Sequence, residues 1–545
     1  MTIYHFAILC GAMAALGCAR MIPRLGLRPP ISGLMIVFGT LVPAGWMPAA
    51  AETRLPVLKP AVSSFSHETV IEKARALASR PYKEPTRVDP SPAEQLASSY
   101  DEFRMARFRP DAAVQLDSLG RYRLHLLPTA WIHRDEVAIA IVEKGIEKPV
   151  RAEPAMFDWG PLKRVAAFSQ DVPLSGFRIS GPLNNPEVSD EIIVFQGASY
   201  FRALSSGQAY GISARGLALS TGAAGGEEFP RFTKFWIERP APNVDEFVIH
   251  ALLDSRSLTG AYLFKVRPGK ETAIDVKSTI FPRTQITEIG IAPLTSMYLV
   301  SSSDRTRVSD FRPSIHDSDG LSIQNGRGEH LWRALANPRR IETSTFEDDS
   351  PKGFGLEQRE RNFAAYQDME ALYHKRPSVW VEPEGDWGPG SVILVELPTE
   401  DETNDNVVAF WRPRDPLEPG RGHEFAYRLL WPDTFSRLGP QARVVRTMAG
   451  RSNGPDRDVG AVQFVLEYDG VGAVSDAAAL VPNVETSQGR LGDAQVQLNE
   501  EAGTLRIAFK FYPETSDTAD LRLSVAGIPG GAETWLYRWT KGMHQ

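Results

Sequence analysis

The sequence predicts an all-β protein in which a large β-sandwich or barrel precedes a smaller sandwich. Short alternating or β-branched runs, bounded by Gly, Pro, Asp and Asn, recur between about residues 105 and 431, as in a large antiparallel fold. A connector, residues 431–440, interrupts this pattern. The short strands that follow have the length and spacing of an immunoglobulin-like sandwich. We therefore expect two domains, residues 62–432 and 437–541.

The first 51 residues differ from the rest of the chain. They contain three arginines, no acidic residue and two apolar stretches, residues 6–17 and 31–46. The second stretch follows the arginines and ends in small residues at Ala51, which predicts a secretory signal peptide, with Met21 as an alternative start. Neither stretch reaches about 18 uninterrupted apolar residues, so the sequence favours export with cleavage over stable membrane insertion.

Composition excludes several classes of function. Both cysteines, Cys10 and Cys18, lie in the leader, so the mature chain would have no disulfide and no Cys nucleophile, and its stability must come from its core. Hydrophobic residues make up 42% and charged residues 23% of the chain, as in an ordinary globular protein. The net charge of −7 and the lack of a basic block argue against a nucleic-acid partner.

Within the first domain, helical patterns come before the strands. Residues 67–78 carry apolar side chains at helical spacing, and residues 91–96 open with a capping signal and Pro92. Residues 353–373 predict a loop with one helical turn, the kind of insertion that often shapes a cleft. The predicted strands are 121–127, 137–142, 247–253, 261–266, 391–397 and 407–411, then 461–468, 495–498, 504–511, 521–526 and 534–539 in the second domain.

Two acidic turns are candidates for a reactive site. Residues 314–320 carry Asp317 and Asp319, and the loop 398–405 ends in Asp405 between two predicted strands. Two carboxylates on separate loops can cleave a glycosidic bond, because one donates a proton while the other activates the attacking oxygen. Each turn also has a plainer explanation, since Asp and Gly initiate turns and hairpin tips are usually solvated.

Other common catalytic patterns are missing from the sequence. It has no G-x-S-x-G elbow, no P-loop, no G-x-G-x-x-G after a strand and no H-E-x-x-H, and its ten histidines lack metal-ligand spacing. Asp317 and Asp319 also lack the spacing and the distal Glu of a calcium loop. The sequence therefore predicts no metal site and no cofactor.

The densest run of aromatic and Arg residues lies between the two acidic turns. Flat rings complement the apolar faces of sugars, and Arg side chains bind hydroxyl groups, so we expect some of them to contact substrate. The alternative is that most of these rings fill the core of a large β domain. The predicted substrate-binding residues are Trp332, Arg359, Tyr366, Tyr373, Trp387 and Trp411.

Several longer strings resemble a known family. They are residues 197–203, 210–217, 227–232, 235–240, 292–297, 311–313, 316–318, 320–322 and 402–406. Between about residues 65 and 432, and more weakly over 437–541, the chain resembles the periplasmic glucan biosynthesis proteins of the OpgG/OpgD (MdoG/MdoD) type. The resemblance implies a galactose-mutarotase-like first domain, an immunoglobulin-like second domain and export to the periplasm of a Gram-negative bacterium.

The resemblance also implies a chemistry. Family members take part in making osmoregulated periplasmic glucans with a β-1,2-linked glucose backbone, and they resemble anomer-inverting endo-β-1,2-glucanases. The family's general acid corresponds to Asp405 and its general base to Asp317. The expected ligand is then β-1,2-glucan, and the inner-membrane glucan synthase is a candidate partner.

Two other functions stay open at this point. A transglycosylase would use the same carboxylates with a sugar hydroxyl in place of water, and it would make cyclic or branched glucans. A non-catalytic glucan-binding or assembly protein would bind without turnover. Its immunoglobulin-like domain, which offers no obvious active site, could dock a membrane partner.

Overall fold

The computed structural model describes residues 64–544 except 85–98, 161–170, 243, 306–307, 436–438, 453–459, 473 and 475. The predicted leader and the predicted helix at 91–96 lie outside these residues. From residue 65 onward, the described residues belong to one compact unit.

Helices are few and short in the described part of the chain. They are α1 (His67–Ala78) and α2 (Tyr100–Met105), with 3-10 turns at Pro110–Ala112, Pro154–Met156, Phe363–Ala365, Tyr373–Lys375 and Ala477–Ala479. Helix α1 confirms the prediction for residues 67–78. Its Val70 and Ala74 are fully buried and pack against Trp236 and Phe281 of the neighbouring sheet, because apolar residues four apart share one helix face.

The remaining described elements are strands, which confirms the all-β prediction. Up to the connector they are β1 (Arg107–Phe108), β2 (Val114–Gln115), β3 (Arg123–Pro128), β4 (Ala138–Glu143), β5 (Ile146–Pro149), β6 (Phe157–Asp158), β7 (Leu174–Gly181), β8 (Asp190–Gln196), β9 (Tyr200–Ala203), β10 (Ser213–Arg215), β11 (Leu217–Leu219), β12 (Arg231–Glu238), β13 (Phe247–Asp254), β14 (Leu258–Arg267), β15 (Thr272–Pro282), β16 (Ile289–Ser296), β17 (Tyr298–Val300), β18 (Ile315–His316), β19 (Gly320–Gln324), β20 (His330–Ala334), β21 (Glu342–Asp348), β22 (Gly353–Glu357), β23 (Val379–Glu384), β24 (Gly390–Glu396), β25 (Val407–Pro413) and β26 (His423–Trp431). After it they are β27 (Arg443–Arg451), β28 (Val462–Asp469), β29 (Val481–Thr486), β30 (Arg490–Leu491), β31 (Gln495–Asn499), β32 (Thr504–Tyr512), β33 (Thr518–Ala526) and β34 (Thr534–Thr540).

Two large sheets organise these strands. An 11-stranded sheet has the order β2-β3-β7-β8-β9-β10-β16-β25-β24-β21, with β11 also paired to β16. A 14-stranded sheet has the order β29-β33-β34-β20-β19-β22-β23-β26-β15-β14-β13-β12-β4-β5. A five-stranded sheet contains β27, β28, β30, β31 and β32, and the pairs β1–β6 and β17–β18 stand apart.

The two large sheets pack face to face. Phe177 and Phe195 of the 11-stranded sheet meet Phe235 of the 14-stranded sheet at ring-centroid distances of 5.0 and 5.2 Å, and Phe195 lies 5.2 Å from Phe264. Inward-facing rings of two sheets that interdigitate in this way form the core of a β-sandwich. The galactose-mutarotase-like identity of this sandwich stays a prediction.

The sequence interpretation of residues 353–373 as a loop is wrong at its start, where Gly353–Glu357 forms strand β22 inside the 14-stranded sheet. Glycines suggested a loop, but here they permit close packing. A Cβ atom at Gly353 would lie 2.4 Å from the ring of Trp380, and one at Gly355 would lie 2.3 Å from the carbonyl oxygen of Val379. Such glycines mark close approach rather than a turn.

The hydrophobic cluster of the region after the connector includes Phe464, Trp535 and Tyr537, and it also takes in Trp332 and Ala334 of β20. The region also continues the 14-stranded sheet, because β34 pairs in parallel with β20, with Leu331 opposite Thr534. The division into domains at residues 432–437 and the immunoglobulin-like identity of the second stay predictions.

A buried cluster of four charged side chains joins the two regions. The Arg359 guanidinium donates two hydrogen bonds of 2.8 Å to Glu533 and one of 2.8 Å to Glu357, and Arg443 donates to both oxygens of Glu357 at 2.7 and 2.8 Å. Arg359 also lies 3.4 Å above the ring of Trp332. Two positive and two negative charges balance here, so burial leaves no net charge uncompensated.

Removing one carboxylate should break that balance. Replacing Glu533 by Gln leaves Arg359 and Arg443 facing a single buried carboxylate, so we expect the free energy of unfolding to fall by about 3–5 kcal/mol in urea titrations. Glu514→Gln is the matched control, because Glu514 pairs with Arg490 at 3.7 Å on the surface and should cost less than about 1 kcal/mol. Equal, small losses for both variants would contradict the role of the cluster.

Candidate active site

Asp405 lies at the end of the loop that joins β24 to β25. The next residue, Asn406, is buried, and its side chain accepts a hydrogen bond from the Tyr298 N–H at 2.8 Å. The same side chain donates to the carbonyl oxygens of Tyr298 at 3.0 Å and Leu397 at 2.9 Å. These three bonds fix the end of the loop and therefore the backbone position of Asp405.

The structure separates the carboxylates that crowd this loop in sequence. Asp401 accepts hydrogen bonds from the loop's own backbone and side chains and so forms the turn. Glu402 accepts from Arg312 at 2.7 Å and from the Tyr373 hydroxyl at 2.6 Å. Of the two remaining carboxylates of this loop, Glu400 is exposed, whereas the Asp405 side chain is 8% exposed and lies beside Arg202.

Asp317 directly follows the short strand β18. Its backbone N–H donates to the carbonyl oxygen of Met297 at 2.8 Å, and the hydroxyls of Ser318 and Ser296 lie 2.7 Å apart. Its side chain is buried and accepts a hydrogen bond from the Arg376 guanidinium. The aspartate is thus held from the backbone side and from the side-chain side.

The two predicted catalytic residues therefore depend on one short segment. Met297 binds the backbone of Asp317, and Tyr298 binds Asn406, the neighbour of Asp405. Although the two aspartates are far apart in sequence, adjacent residues of this segment position both of them.

Arginines from the 11-stranded sheet surround Asp405. Arg202 on β9 places Nη2 3.8 Å from Asp405 Oδ2, and its Nε donates to Ser213 at 2.6 Å. Arg215 on β10 is paired with Glu227 at 2.6 Å and also acts electrostatically on Asp405. Neighbouring strands β9 and β10 thus supply fixed positive charge beside the carboxylate.

The surroundings shift the acidity of both aspartates. Burial raises the pKa of Asp405 to about 6, the charge of Asp317 adds to this, and Arg202 opposes it. Burial also raises the pKa of Asp317, while the Arg376 guanidinium acts in the opposite direction. The negative charge of Asp317 therefore acts on the carboxyl of Asp405. Raised acid pKa values in a polar cleft are typical of reactive carboxylates.

Each aspartate also keeps one oxygen available. Oδ2 of Asp317 and Oδ2 of Asp405 are buried and accept no hydrogen bond from the described residues. Buried polar atoms are otherwise almost always hydrogen-bonded. Two such oxygens within one cluster suit groups that exchange protons with a substrate or with water.

Asp319 has a different environment from Asp317, two residues away. Its two oxygens accept hydrogen bonds from the backbone N–H groups of Arg359 at 3.2 Å and Glu360 at 3.4 Å. Burial raises the pKa of Asp319 to about 7. Asp319 therefore belongs to the junction with the C-terminal region rather than to the Asp317–Asp405 cluster.

Trp387 and Trp411, predicted to bind substrate, are core residues in this structure. Trp411 is fully buried and Trp387 is 9% exposed, and their rings lie 6.2 Å apart within the sandwich core. Neither ring presents a face on which a sugar could stack. Their placement matches the alternative that rings of a large β domain fill its core.

Trp332 and Arg359 are also placed away from the aspartate pair. Both are buried where β20 and β22 meet the C-terminal region, and Arg359 uses its donors on Glu357 and Glu533. The Trp332 ring packs under the Arg359 guanidinium, which in turn binds Glu533. These contacts argue against direct substrate contact at the Asp317–Asp405 site.

Tyr366 and Tyr373 lie behind the site rather than on its surface. Tyr366 is buried against the ring of His316 at 5.3 Å. Tyr373 is buried beneath Arg376, which lies 4.2 Å above its ring, and donates to Glu402. Of the six predicted binding residues, Tyr373 is the one that the structure connects to both acidic loops.

Residues that the sequence interpretation did not assign to the site are Arg202, Arg215 and Arg376. Arg202 and Arg215 fall within two of the strings that carry the family resemblance, residues 197–203 and 210–217. Their presence in these strings was the available indication that they belong to the site. Their role could not be inferred because strand pairing alone brings β9 and β10 beside the β24–β25 loop.

Comparison with known proteins identifies the family. A family model described as periplasmic glucan biosynthesis protein, MdoG, matches residues 65–539. The chain belongs to the MdoG family. This confirms the resemblance seen in the sequence strings.

Relatives in the MdoG family are similar over nearly their whole length. Glucans biosynthesis protein G 1 of Shewanella oneidensis is 45% identical over 503 residues, which cover 91% of each chain. Glucans biosynthesis protein G of Shewanella sp. strain MR-7 is 46% identical over 482 residues, 88% of this chain and 87% of that one. Among solved structures, a polysaccharide lyase is similar at a TM-score of 0.21 and 8% identity, over 67% of this chain and 44% of that one, which is too low to support an argument.

The Asn406 anchor predicts a stability effect. In Asn406→Ala, the Tyr298 N–H and two carbonyl groups lose a buried partner, so we expect the free energy of unfolding to fall by about 2–3 kcal/mol in urea titrations. Asn404→Ala removes the same side chain from an exposed position of the same loop and should change it by less than about 1 kcal/mol. Similar values for the two variants would show that the anchor does not hold the loop.

The raised pKa of Asp405 predicts a pH-dependent gain on its removal. Ionising a group whose pKa rises from 3.8 to about 6 on folding costs stability as pH rises through that window. Asp405→Asn should therefore gain about 2–3 kcal/mol relative to wild type between pH 3.5 and pH 8. Urea titrations at the two pH values measure this, and a pH-independent difference would contradict it.

Proposed function

We propose that this protein is an anomer-inverting endo-β-1,2-glucanase that trims osmoregulated periplasmic glucans. The observation that carries the proposal is the Asp317–Asp405 cluster: two buried carboxylates, each with one oxygen free of hydrogen bonds from described residues, held by one segment. Family membership supports the glucan as substrate, since its relatives are named for glucan biosynthesis.

In this proposal Asp405 is the general acid. Burial raises its pKa to about 6, so roughly one tenth of the carboxyl is protonated at pH 7 and about half at pH 6, and this protonated form can donate to the glycosidic oxygen. After transfer the group is negatively charged, and Arg202, 3.8 Å away, stabilises that charge. The arginine thereby favours the state formed late in the reaction over the starting one.

Asp317 is the general base. The Arg376 guanidinium donates to one of its oxygens and favours the ionised form, which leaves the second oxygen to accept a proton from the attacking water, directly or through a hydroxyl relay. Inversion requires water to attack the face opposite the leaving oxygen. One carboxyl must start protonated and the other ionised. The direct hydrogen bond from Arg376 to Asp317, compared with the 3.8 Å separation of Arg202 from Asp405, suits these two roles.

A network of charged residues links the loops around the pair. Arg312 donates to Asp368 at 2.8 Å and to Glu402 at 2.7 Å, and it is also paired with Asp310. It therefore ties the segment before Asp317 to the loop that carries Asp405. In our proposal this contact keeps the carboxyl groups of Asp405 and Asp317 in a fixed relative position while a flexible polymer binds.

The family description supports a proposal for location and partner. The family is described as periplasmic, and we propose the periplasm of a Gram-negative bacterium as the site of action, with the inner-membrane glucan synthase as a candidate partner. Within the described residues, no helix is long and apolar enough to cross a membrane.

Substitution of the proposed acid tests the function. With linear β-1,2-glucan, Asp405→Asn should lower kcat by roughly 10²–10⁴-fold, measured as new reducing ends, because no proton reaches the leaving oxygen. Asp401→Asn is the control: it makes the same change at the tip of the same loop, where Asn can still form the turn, and should retain activity.

The outcomes separate the candidate functions. Undiminished cleavage by Asp405→Asn would overturn its assignment. Proton NMR of the first product should show the α-anomer, whereas the β-anomer would exclude inversion. Cyclic or branched products lacking one water, seen by mass spectrometry, would make a sugar hydroxyl the acceptor. Binding without any turnover by the wild-type protein would make it a binding protein.

A further inference from the structure

A cavity of about 430 Å³ lies between the sandwich and the C-terminal region. Neither Asp317 nor Asp405 lines it. Its walls come from the segments around Ser301–Arg305 and Pro313–Ser314, from Glu360 and Ala365, and from residues 444–448 on β27. It therefore belongs to the junction of the two regions and not to the proposed catalytic cluster.

The lining combines hydroxyl groups with apolar surface. Ser301, Ser303, Ser314 and Thr447 bring hydroxyls, and the apolar lining residues include Trp332, Ala334, Ala365, Val444 and Met448. Binding sites for small polar molecules commonly join apolar walls with a few placed polar groups, in volumes of about 300–1,000 Å³. This cavity has both the volume and the mixture.

The walls carry charges of both signs. Arg305 and Arg446 are cations, Glu360 lies 3.5 Å from Arg446, and Asp319, whose pKa burial raises to about 7, is about half ionised at neutral pH. A metal ion would need an excess of negative charge, which this lining lacks. Charges of both signs together with hydroxyls suit a neutral, polyhydroxylated ligand, whose hydroxyls can donate to the carboxylates and accept from the guanidinium groups.

The cavity opens to solvent beside a β-bulge. The pairing of β27 with β28 shifts register between Val444 and Arg446, so Val445 is the extra residue of the bulge, and it is 38% exposed. Two residues further along β27, the Thr447 carbonyl oxygen accepts a hydrogen bond of 2.9 Å from the Ser302 hydroxyl. Bulges often re-aim side chains at binding sites, and this one places Val445 in the lining.

We propose that this cavity is a second, non-catalytic carbohydrate site that holds one or two glucose units of a β-1,2-glucan. The identity of the sugar rests on the proposed function, whereas the site itself rests on the lining. His316 and Asp319, on either side of the proposed base in sequence, both contribute to the wall. A ligand bound in the cavity would thus contact the turn that carries Asp317.

The test uses sophorose, the β-1,2-linked glucose disaccharide, and hydrogen–deuterium exchange of the full mature protein. At about ten times its dissociation constant, a bound ligand should slow local exchange roughly tenfold. We expect this slowing in residues 444–448 and 301–305 of the wild-type protein and of Asp405→Asn, in which the sugar cannot be turned over.

A matched pair of variants assigns the effect to the cavity. Val445→Trp fills the opening with an indole and should abolish the slowing in residues 444–448. Val481→Trp makes the same change at an exposed position of β29 outside the lining and should keep it. Melting temperatures of both variants check that each is folded, and the wild-type measurement stands without either.

Each outcome decides the proposal. No slowing in residues 444–448 of the wild-type protein overturns it, whether or not the protein cleaves glucan. Equal slowing in Val445→Trp and Val481→Trp overturns the assignment to the cavity. Equal slowing by cellobiose overturns the β-1,2-glucan identity but keeps a sugar site. Slowing by sophorose in a protein that never cleaves linear glucan would overturn the proposed function and leave this site standing.

Discussion

The position of the Asp317–Asp405 pair depends on one dipeptide, Met297–Tyr298, which directly follows strand β16 of the 11-stranded sheet. Its backbone holds Asp317 through one hydrogen bond and Asn406, the neighbour of Asp405, through two. Buried backbone groups must be satisfied, so the same requirement that completes the fold here also places the two carboxylates. The hydrogen bonds that satisfy the backbone of Met297 and Tyr298 are thus the same bonds that position Asp317 and the neighbour of Asp405.

Burial of so much charge requires compensation, and the molecule uses arginine for it. Arg202, Arg215 and Arg376 face the aspartate pair, and Arg359 and Arg443 neutralise Glu357 and Glu533 at the junction. The two groups differ in how fully their carboxylates are hydrogen-bonded. At the junction both carboxylates accept several hydrogen bonds, whereas Asp317 and Asp405 each retain an oxygen without one from the described residues. Complete hydrogen bonding is the rule for buried polar groups, so the two aspartates depart from it.

Local patterns predicted much of the fold. Helix α1 follows from apolar residues spaced four apart, and strand β32 follows from side chains that alternate between buried and partly exposed positions. Strand β22 was not predicted because its glycines allow close packing against Trp380, a contact that no local pattern reveals. The buried positions of Trp332 and Trp411 were not distinguished from substrate-binding positions for a similar reason. Aromatic composition is the same in a core and in a sugar-binding cleft, and only tertiary packing tells them apart.

The parallel pairing of β34 with β20 has a consequence for biogenesis. The 14-stranded sheet cannot be finished until Thr534–Thr540, the last strand described, has joined β20. A chain released early would present β20 as an open edge, and open edges invite pairing with other molecules. Completion of the sheet therefore requires Thr534–Thr540, and a chain that lacks this strand leaves the edge of β20 open to pairing with other chains.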